Sequence, residues 1–283
     1  MEFEIEKIIK NALEEDIGRA DITTTAIVHD SIMGEGIFLV KQNGMLAGFE
    51  IVDNVLKLVD NSLKFKKFFK DGDIVKKGDI AARVTGKASS ILTSERTALN
   101  FFQRMSGIAT AANTYQEKIN HTKAKIIDTR KTVPGLRLID KLAFKLSGCA
   151  NHRMGLYDMF LIKDNHISAA GSITKAIEKC KDYRKKFNLD SKIEVETSNI
   201  EQVREALNCE VDIIMLDNFN PDEMKRAVEL INGHAEIESS GNITLDTVKE
   251  IAETGVDYIS VGAITHSVKA LDISLELKIS NQN

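Results

Sequence analysis

From residue 124 onward the chain repeats one unit: a short apolar run ending in a polar or charged residue, then a stretch with helical periodicity. The runs are AKIIDT (124–129), MFLIKD (159–164), KIEVET (192–197), DIIMLD (212–217), AEIESS (235–240) and DYISVG (257–262). Between the last four lie SNIEQVREALN, PDEMKRAVELI and TLDTVKEIAE, each amphipathic at a helical period, with Ser198, Asn220 or Thr244 near its start as a cap. A helix after each strand carries the chain back to the end from which it started, so successive strands run parallel. Repeated this often, the unit closes into a β/α barrel. Six clear strands fall short of a regular eight, and a seventh is placed in the less regular stretch 137–157. The expectation is an incomplete, TIM-like β/α barrel.

The texture before residue 108 is different. Runs such as GEGIFLVKQNGMLAGFEI and DGDIVKKGDIAARVTGKAS are punctuated by Gly and Asp-Gly turns, which predicts a small sheet. An amphipathic opening helix (MEFEIEKIIKNALEED) and a helical stretch near 51–59 flank it. From 90 to 119 apolar residues recur at helical spacing, with Ser94 as N-cap. The reading is an α/β chain of two domains: an N-terminal α/β sandwich with a small open-faced sheet over 1–108, and the barrel over 109–283.

Composition removes several classes of function. The 283 residues are 43% hydrophobic and 28% charged, enough for a sizeable core. No run of eighteen apolar residues occurs, and the N-terminus is acidic and amphipathic, not a basic segment followed by an apolar one, so the chain is expected in the cytoplasm. Cys149, Cys180 and Cys209 are odd in number, far apart and without a CxxC spacing, which argues for reduced thiols. With a net charge of −4 and only short basic patches, nucleic acid is excluded as a partner, and no membrane association is expected.

Chemistry in such a barrel is placed at the C-terminal ends of the strands, where the following loops converge. One short stretch there is unusual. DTRKTVPGLRL (128–138) loads Arg130 and Lys131 onto the end of an apolar strand, where charge is hardest to keep. The other ends offer Thr129; Lys163; Glu194 and Glu196; Asp217 and Asn218; Glu238 to Asn242; and Ser260 to Ala263. NHR, ahead of the second strand, adds His152 and Arg153. Singly, each cation reads as solvated or paired with a nearby acid. Together, Arg130, Lys131, His152, Arg153 and Lys163 at one mouth repel unless an anion neutralises them, so the cluster predicts a ligand with several negative charges. Glu196 and Asp217 cannot serve that anion directly; they suit a divalent metal or a cationic transition state.

The last two strand ends add a second signal. ESSGNIT and SVGAIT each bring glycine and small residues to a turn that opens into a helix, leaving backbone N–H groups to face a phosphate. Barrels place phosphate sites at the loops after their final strands. His29, His121 and His234 sit in polar loops and read as surface residues, while His266 stays open between a helix cap and a rim group.

TRKTVPGLRLIDKLAF, NHRMGLYDMFLIKDNHI, EVETSN, IIMLDNF, ESSGNIT and ISVGAITHS, with ALEEDIGRADITT and SERTALNFFQRMSGIAT before them, resemble the quinolinate phosphoribosyltransferase family over nearly the whole chain. The resemblance implies transfer of a phosphoribosyl group from phosphoribosyl pyrophosphate to quinolinate, giving nicotinate mononucleotide, pyrophosphate and CO2 on the route to NAD. It implies Mg²⁺ with the pyrophosphate, held by Glu196 and Asp217. It makes Thr129, Arg130, Lys131, His152, Arg153 and Lys163 the pocket for quinolinate and donor, and Lys131, Glu196 and Asp217 the catalytic set. Ser240, Gly241 and Asn242 with Val261, Gly262 and Ala263 match the phosphate turns. Arg96 is carried over as a quinolinate contact supplied across a homodimer interface, with a hexamer left open. Ser147 and Cys149 stand where the family commonly has glycine, and Ala20 departs from its GxGD. A related group tied to molybdenum transport shares the fold, so another aromatic carboxylate is the alternative acceptor. Outside the family, the alternatives are a sugar-phosphate barrel enzyme using Lys131 or Lys163, or a phosphometabolite-binding regulator.

Overall fold

A computed structural model describes residues 2–280. Of these, one compact unit takes 2–113, 132–148 and 265–280, and a second takes 114–131 and 149–264. In chain order the elements are α1 (Glu2–Ile17), α2 (Ile22–Ile27), β1 (Met33–Val40), β2 (Gly44–Met45), α3 (Phe49–Val59), β3 (Lys64–Lys67), β4 (Ile74–Val75), β5 (Ile80–Lys87) and α4 (Ala88–Ile119). There follow β6 (Lys125–Ile127), α5 (Arg137–Leu146), β7 (Phe160–Ile162), α6 (Asp164–Ala170), α7 (Ile173–Lys186), β8 (Ile193–Thr197), α8 (Ile200–Asn208) and β9 (Ile213–Asp217). The chain continues with α9 (Pro221–Ile231), β10 (Glu236–Ser240), α10 (Val248–Ala252), β11 (Tyr258–Ser260), α11 (Ala263–His266) and β12 (Ile273–Ile279).

In the first unit four antiparallel strands form a sheet in the order β12-β1-β5-β3, with β2 and β4 as a separate pair. Phenylalanines pack between this sheet and its helices. Phe38 of β1 and Phe65 of β3 meet Phe49 of α3 and Phe102 of α4, the Phe49 and Phe102 rings lying 5.0 Å apart. The helices therefore cover the face to which Phe38 and Phe65 point, as an open-faced sandwich requires. Lysines line the outer strand: Lys64, Lys66 and Lys67 of β3 are exposed, a charge pattern that discourages pairing with another edge.

The two compact units are interleaved along the chain. Residue 108 lies inside α4, which begins in the first unit and ends in the second. The last strand, β12, returns to pair with β1 along Gly34–Val40. Segment 132–148 also belongs to the first unit, where Asp140 of α5 accepts two hydrogen bonds from Arg104 of α4, at 2.7 and 2.8 Å. Ser94 is not a helix cap. α4 starts at Ala88 directly out of β5, and Ser94 is buried within it, its hydroxyl donating to Ser90 O at 2.9 Å.

In the second unit six parallel strands run β6-β11-β10-β9-β8-β7. The first strand pairs with the last, so the sheet is closed there and open between β6 and β7. The expected seventh strand shrinks to one parallel bridge, Ile127 to Ala150. Most of 137–157 cannot form it, because α5 occupies the start of that stretch and 151–157 carries no regular structure. Ser147 has an ordinary helical backbone (φ −75°), and the left-handed residue at this corner is Gly148 (φ +87°), so glycine at 147 is not required.

The helices start largely where their caps place them. Asn220 accepts the Glu223 N–H at 2.9 Å, Glu223 returns the bond at 3.2 Å, and Pro221 opens the helix. For α8 the cap is Asn199 and not Ser198, which bonds to Gln202 instead. For α10 it is Thr247, with Thr244 in the turn before it. At the strand starts, charges are matched one to one: Lys123 with Asp257 (2.7 Å), Arg184 with Asp212 (3.0 Å), and Lys192 with Glu236. The opposite end of the barrel is built differently.

Candidate active site

At the C-terminal ends of the strands a cavity of about 290 Å³ is lined by Thr129, Arg130, Lys131, His152, Arg153 and Lys163. All five expected cationic groups face one space. Ser240 also lines it, as do Glu238 and Ser260, named among the strand ends without a role, and Leu161 and Met215, which were not named. Among the described residues, the buried Nε of Arg130 has no hydrogen-bond partner. Arg153 is pulled below the ordinary arginine value, first by burial and then by the positive charge of Arg130, so the two guanidiniums repel. Such an arrangement calls for an anionic ligand.

Beneath the mouth lie three acids of at most 1% exposure: Asp128 after β6, Glu194 on β8 and Glu238 on β10. Asp128 Oδ1 accepts the backbone N–H of His152 at 2.8 Å, and His152 Nε2 stands 3.0 Å from Glu194 Oε2 and 3.3 Å from Glu238 Oε2. These last three are the one His/Cys/Asp/Glu group with three mutually close ligand atoms among the described residues. Burial alone would depress His152, but hydrogen bonds and charge from Glu194 and Glu238 override it and raise it from 6.5 to about 10. The Arg153 N–H, 2.8 Å from Nδ1, favours the neutral ring, yet one dipole is outweighed by the acids opposite. Burial, then the neighbouring Glu238 charge, pushes Glu194 from 4.5 up to about 8.

Both shifts have the same consequence for stability. The native protein holds a proton on Glu194 that the unfolded chain releases above 4.5, and one on His152 that it releases above 6.5. Stability from each is therefore complete below its unfolded value and is lost as pH rises, through about 8 for Glu194 and about 10 for His152. The melting temperature is expected to fall more steeply between pH 6.5 and 10 than in the double variant His152→Asn/Glu194→Gln. Parallel melting curves for the two proteins would show that the cluster does not titrate this way.

Glu196 and Asp217 lie at neighbouring strand ends and outside the cavity lining. Glu196 Oε2 accepts from Lys163 Nζ at 3.0 Å, and Asp217 Oδ2 accepts from Asn218 Nδ2 at 2.8 Å. Asn218, named among the strand ends without a role, is a connector. Its N–H donates to Ser240 O (2.9 Å) and its Oδ1 accepts from Asn242 Nδ2 (3.1 Å), tying Asp217 to the Ser240–Asn242 turn. Gly241 (φ +100°) cannot be replaced there: a Cβ would stand 2.2 Å from Asn218 Oδ1.

In the second expected phosphate turn, Val261 is buried and its N–H donates to Ile127 O at 3.0 Å, so that amide is committed to the barrel. Gly262 follows, and Ala263 opens α11. Arg96 is exposed on α4 in the first unit and does not line the cavity. His29, His121, His234 and His266 are exposed.

Glu194 and Glu238 were named among the strand ends, and a signal for the way they face was present in the sequence. Side chains two apart on a strand share a face, so KIEVET places Glu194 on the side of Glu196, and AEIESS places Glu238 on the side of Ser240.

Fold and site together define a β/α-barrel protein with a cationic cavity at the C-terminal ends of its strands, and with a small antiparallel sheet unit. A family model described as the quinolinate phosphoribosyl transferase C-terminal domain matches residues 108–276, and its N-terminal counterpart matches 21–106. A chloroplastic nicotinate-nucleotide pyrophosphorylase (carboxylating) of Arabidopsis thaliana is 47% identical, covering 97% of this chain and 83% of that protein. A probable nicotinate-nucleotide pyrophosphorylase (carboxylating) of Bacillus subtilis is 40% identical, covering 99% and 96%. Among solved structures, NadC from Streptococcus pyogenes superposes with a TM-score of 0.94 at 39% identity, covering 99% of both chains. The nicotinate-nucleotide pyrophosphorylase of Francisella tularensis gives 0.92 at 37%, covering 98% and 97%. The chain belongs to the quinolinate phosphoribosyltransferase family.

Proposed function

We propose that the protein transfers the phosphoribosyl group of phosphoribosyl pyrophosphate to quinolinate with loss of CO2, giving nicotinate mononucleotide and pyrophosphate. The observation that carries this reading is the cavity in which Arg130 and Arg153 repel each other, with Lys131, His152 and Lys163 also lining it. A flat dianion supplies the missing counter-charge, and the guanidinium forks fix its carboxylates through paired hydrogen bonds.

The steps follow from the charges. The ring nitrogen of the bound diacid attacks the ribose carbon as pyrophosphate leaves with the bonding pair, so positive charge builds on the sugar. We assign its stabilisation to Glu196 and Asp217, which end adjacent strands. The ring nitrogen then carries a positive charge. The neighbouring carboxylate departs as CO2, leaving its electron pair on the ring carbon beside that nitrogen, and a proton completes the product. No side-chain base is needed to break that bond. Lys131 and the Ser240–Asn242 turn, with Gly262 and Ala263, serve the donor's phosphates.

A magnesium ion fits Glu196 and Asp217, because two oxygen-donor acids, each with one oxygen engaged by a neighbour and one left for a ligand, suit a hard divalent cation. Bound there, it neutralises charge on the departing pyrophosphate. We assign the active unit as a homodimer in which Arg96 of one protomer reaches the other's diacid, a hexamer being the larger alternative, and we place the enzyme in the cytoplasm. No helix among the described residues is long and apolar enough to cross a membrane.

The test is direct. Purified protein with quinolinate, phosphoribosyl pyrophosphate and Mg²⁺ is expected to release CO2, pyrophosphate and nicotinate mononucleotide in equal amounts. Turnover of another aromatic carboxylate without quinolinate turnover would reassign the acceptor, and no turnover of either would remove the reading.

A further inference from the structure

Burying a carboxylate is costly unless it is bonded, and a barrel interior that needed only packing would use aliphatic side chains. That is what this interior does at Ile213 and Met215 on the intervening strand, which stand in register with Glu194 and Glu238. Asp128, Glu194 and Glu238 break the pattern, and all three converge on His152. They come from separate strands, with β9 lying between β8 and β10. The residue they reach sits in a segment without a ladder of its own, tied to the sheet by the single bridge at Ala150.

We propose, resting on the reading above, that Asp128, Glu194 and Glu238 are positioning residues that fix the His152–Arg153 corner, Asp128 through its backbone and the two glutamates through its ring. Asp128 sets the height of the corner. Glu194 and Glu238 set the rotation of the imidazole, and with it the place of the adjoining Arg153 guanidinium in the pocket. Asp158 closes the far side of the same loop, accepting from Met154 N–H (2.6 Å) and Gly155 N–H (3.0 Å), while Arg153 Nη1 donates to Met159 O (3.1 Å). The corner is thus pinned at both ends by acids and not by a strand. Their target is the acceptor diacid, because His152 and Arg153 line its pocket, whereas the donor's phosphate turn at Ser240–Asn242 is tied to Asn218 and Asp217 instead.

The experiment is a double-mutant cycle with steady-state kinetics. Glu194→Leu and Glu238→Gln are each expected to raise KM for quinolinate about tenfold and KM for phosphoribosyl pyrophosphate by less than about twofold. In a His152→Ala background the same substitutions should add less than about twofold, since they act through a ring that is gone. Unchanged quinolinate KM, or losses that multiply in the His152→Ala background, would overturn the assignment. Should one of these variants fold poorly, Asp128→Asn is expected to raise quinolinate KM about tenfold with His152 present and in the His152→Ala background alike, because its partner is the backbone N–H and not the ring. If the wild-type protein turned over no quinolinate, the functional reading would fail by itself. The corner would then be judged by crystal structures of wild type and Glu238→Gln, with a rotated His152 ring and displaced Arg153 as the expected result and an unmoved corner as the contrary one.

Discussion

Arg130→Ala is expected to lower kcat/KM for quinolinate on the order of 100-fold, about 3 kcal/mol, as for the loss of a charged hydrogen-bonding partner in a desolvated site. The same substitution should leave the melting temperature of the ligand-free protein unchanged or slightly higher. The two effects have one cause. Without substrate, the Arg130 Nε is buried with no acceptor among the described residues, and its charge pulls Arg153 below the ordinary arginine value. Removing it relieves repulsion and a desolvation cost, while the bound diacid loses a guanidinium that would satisfy both. Arg130→Lys keeps the charge but not the planar fork, and is expected to fall between wild type and alanine. Kinetics and thermal melts on the same preparations check the pair of signs. Near-normal turnover, or a large drop in stability, would place Arg130 in the scaffold and outside the site.

The barrel could be read from the sequence because its signal is local. Each run such as DIIMLD hands over to a 3.6-period helix, and caps such as Asn220 mark the join. The cationic mouth was legible for a related reason: once strand ends are known, Arg130, Lys131, His152, Arg153 and Lys163 fall at one end of the barrel. What escaped depended on distant partners. Nothing in ISLELKI says that it pairs with a strand 230 or more residues earlier, yet β12 joins β1 there. Nothing local in RLIDKLAF says that Asp140 is reserved for Arg104. Ser94 misled because serine is a good cap only where a helix begins, and a preceding strand can run straight into the helix without one. The inward facing of Glu194 and Glu238 was hidden by a general expectation: carboxylates inside a barrel are rare, so a glutamate in a strand reads as an end or an exposed position until its face is worked out.

The largest stability effect is expected at that Arg104–Asp140 pair in the first unit. Asp140 is fully buried, Arg104 is about one-fifth exposed, and the guanidinium meets the carboxylate through two parallel bonds of 2.7 and 2.8 Å. Arg104→Met strands a buried carboxylate, which costs roughly 3–5 kcal/mol. Asp140→Leu should cost less, because the stranded guanidinium can turn its charge toward water along an already exposed side. The double variant Arg104→Met/Asp140→Leu should recover most of the loss, since paired replacement by apolar groups of similar volume is often nearly neutral. Denaturant titrations of the four proteins give the coupling directly. A recovered double variant would mean that the pair specifies where α5 docks more than it adds to net stability, whereas equal losses in the singles and additive loss in the double would mean that each side chain acts through its own neighbours.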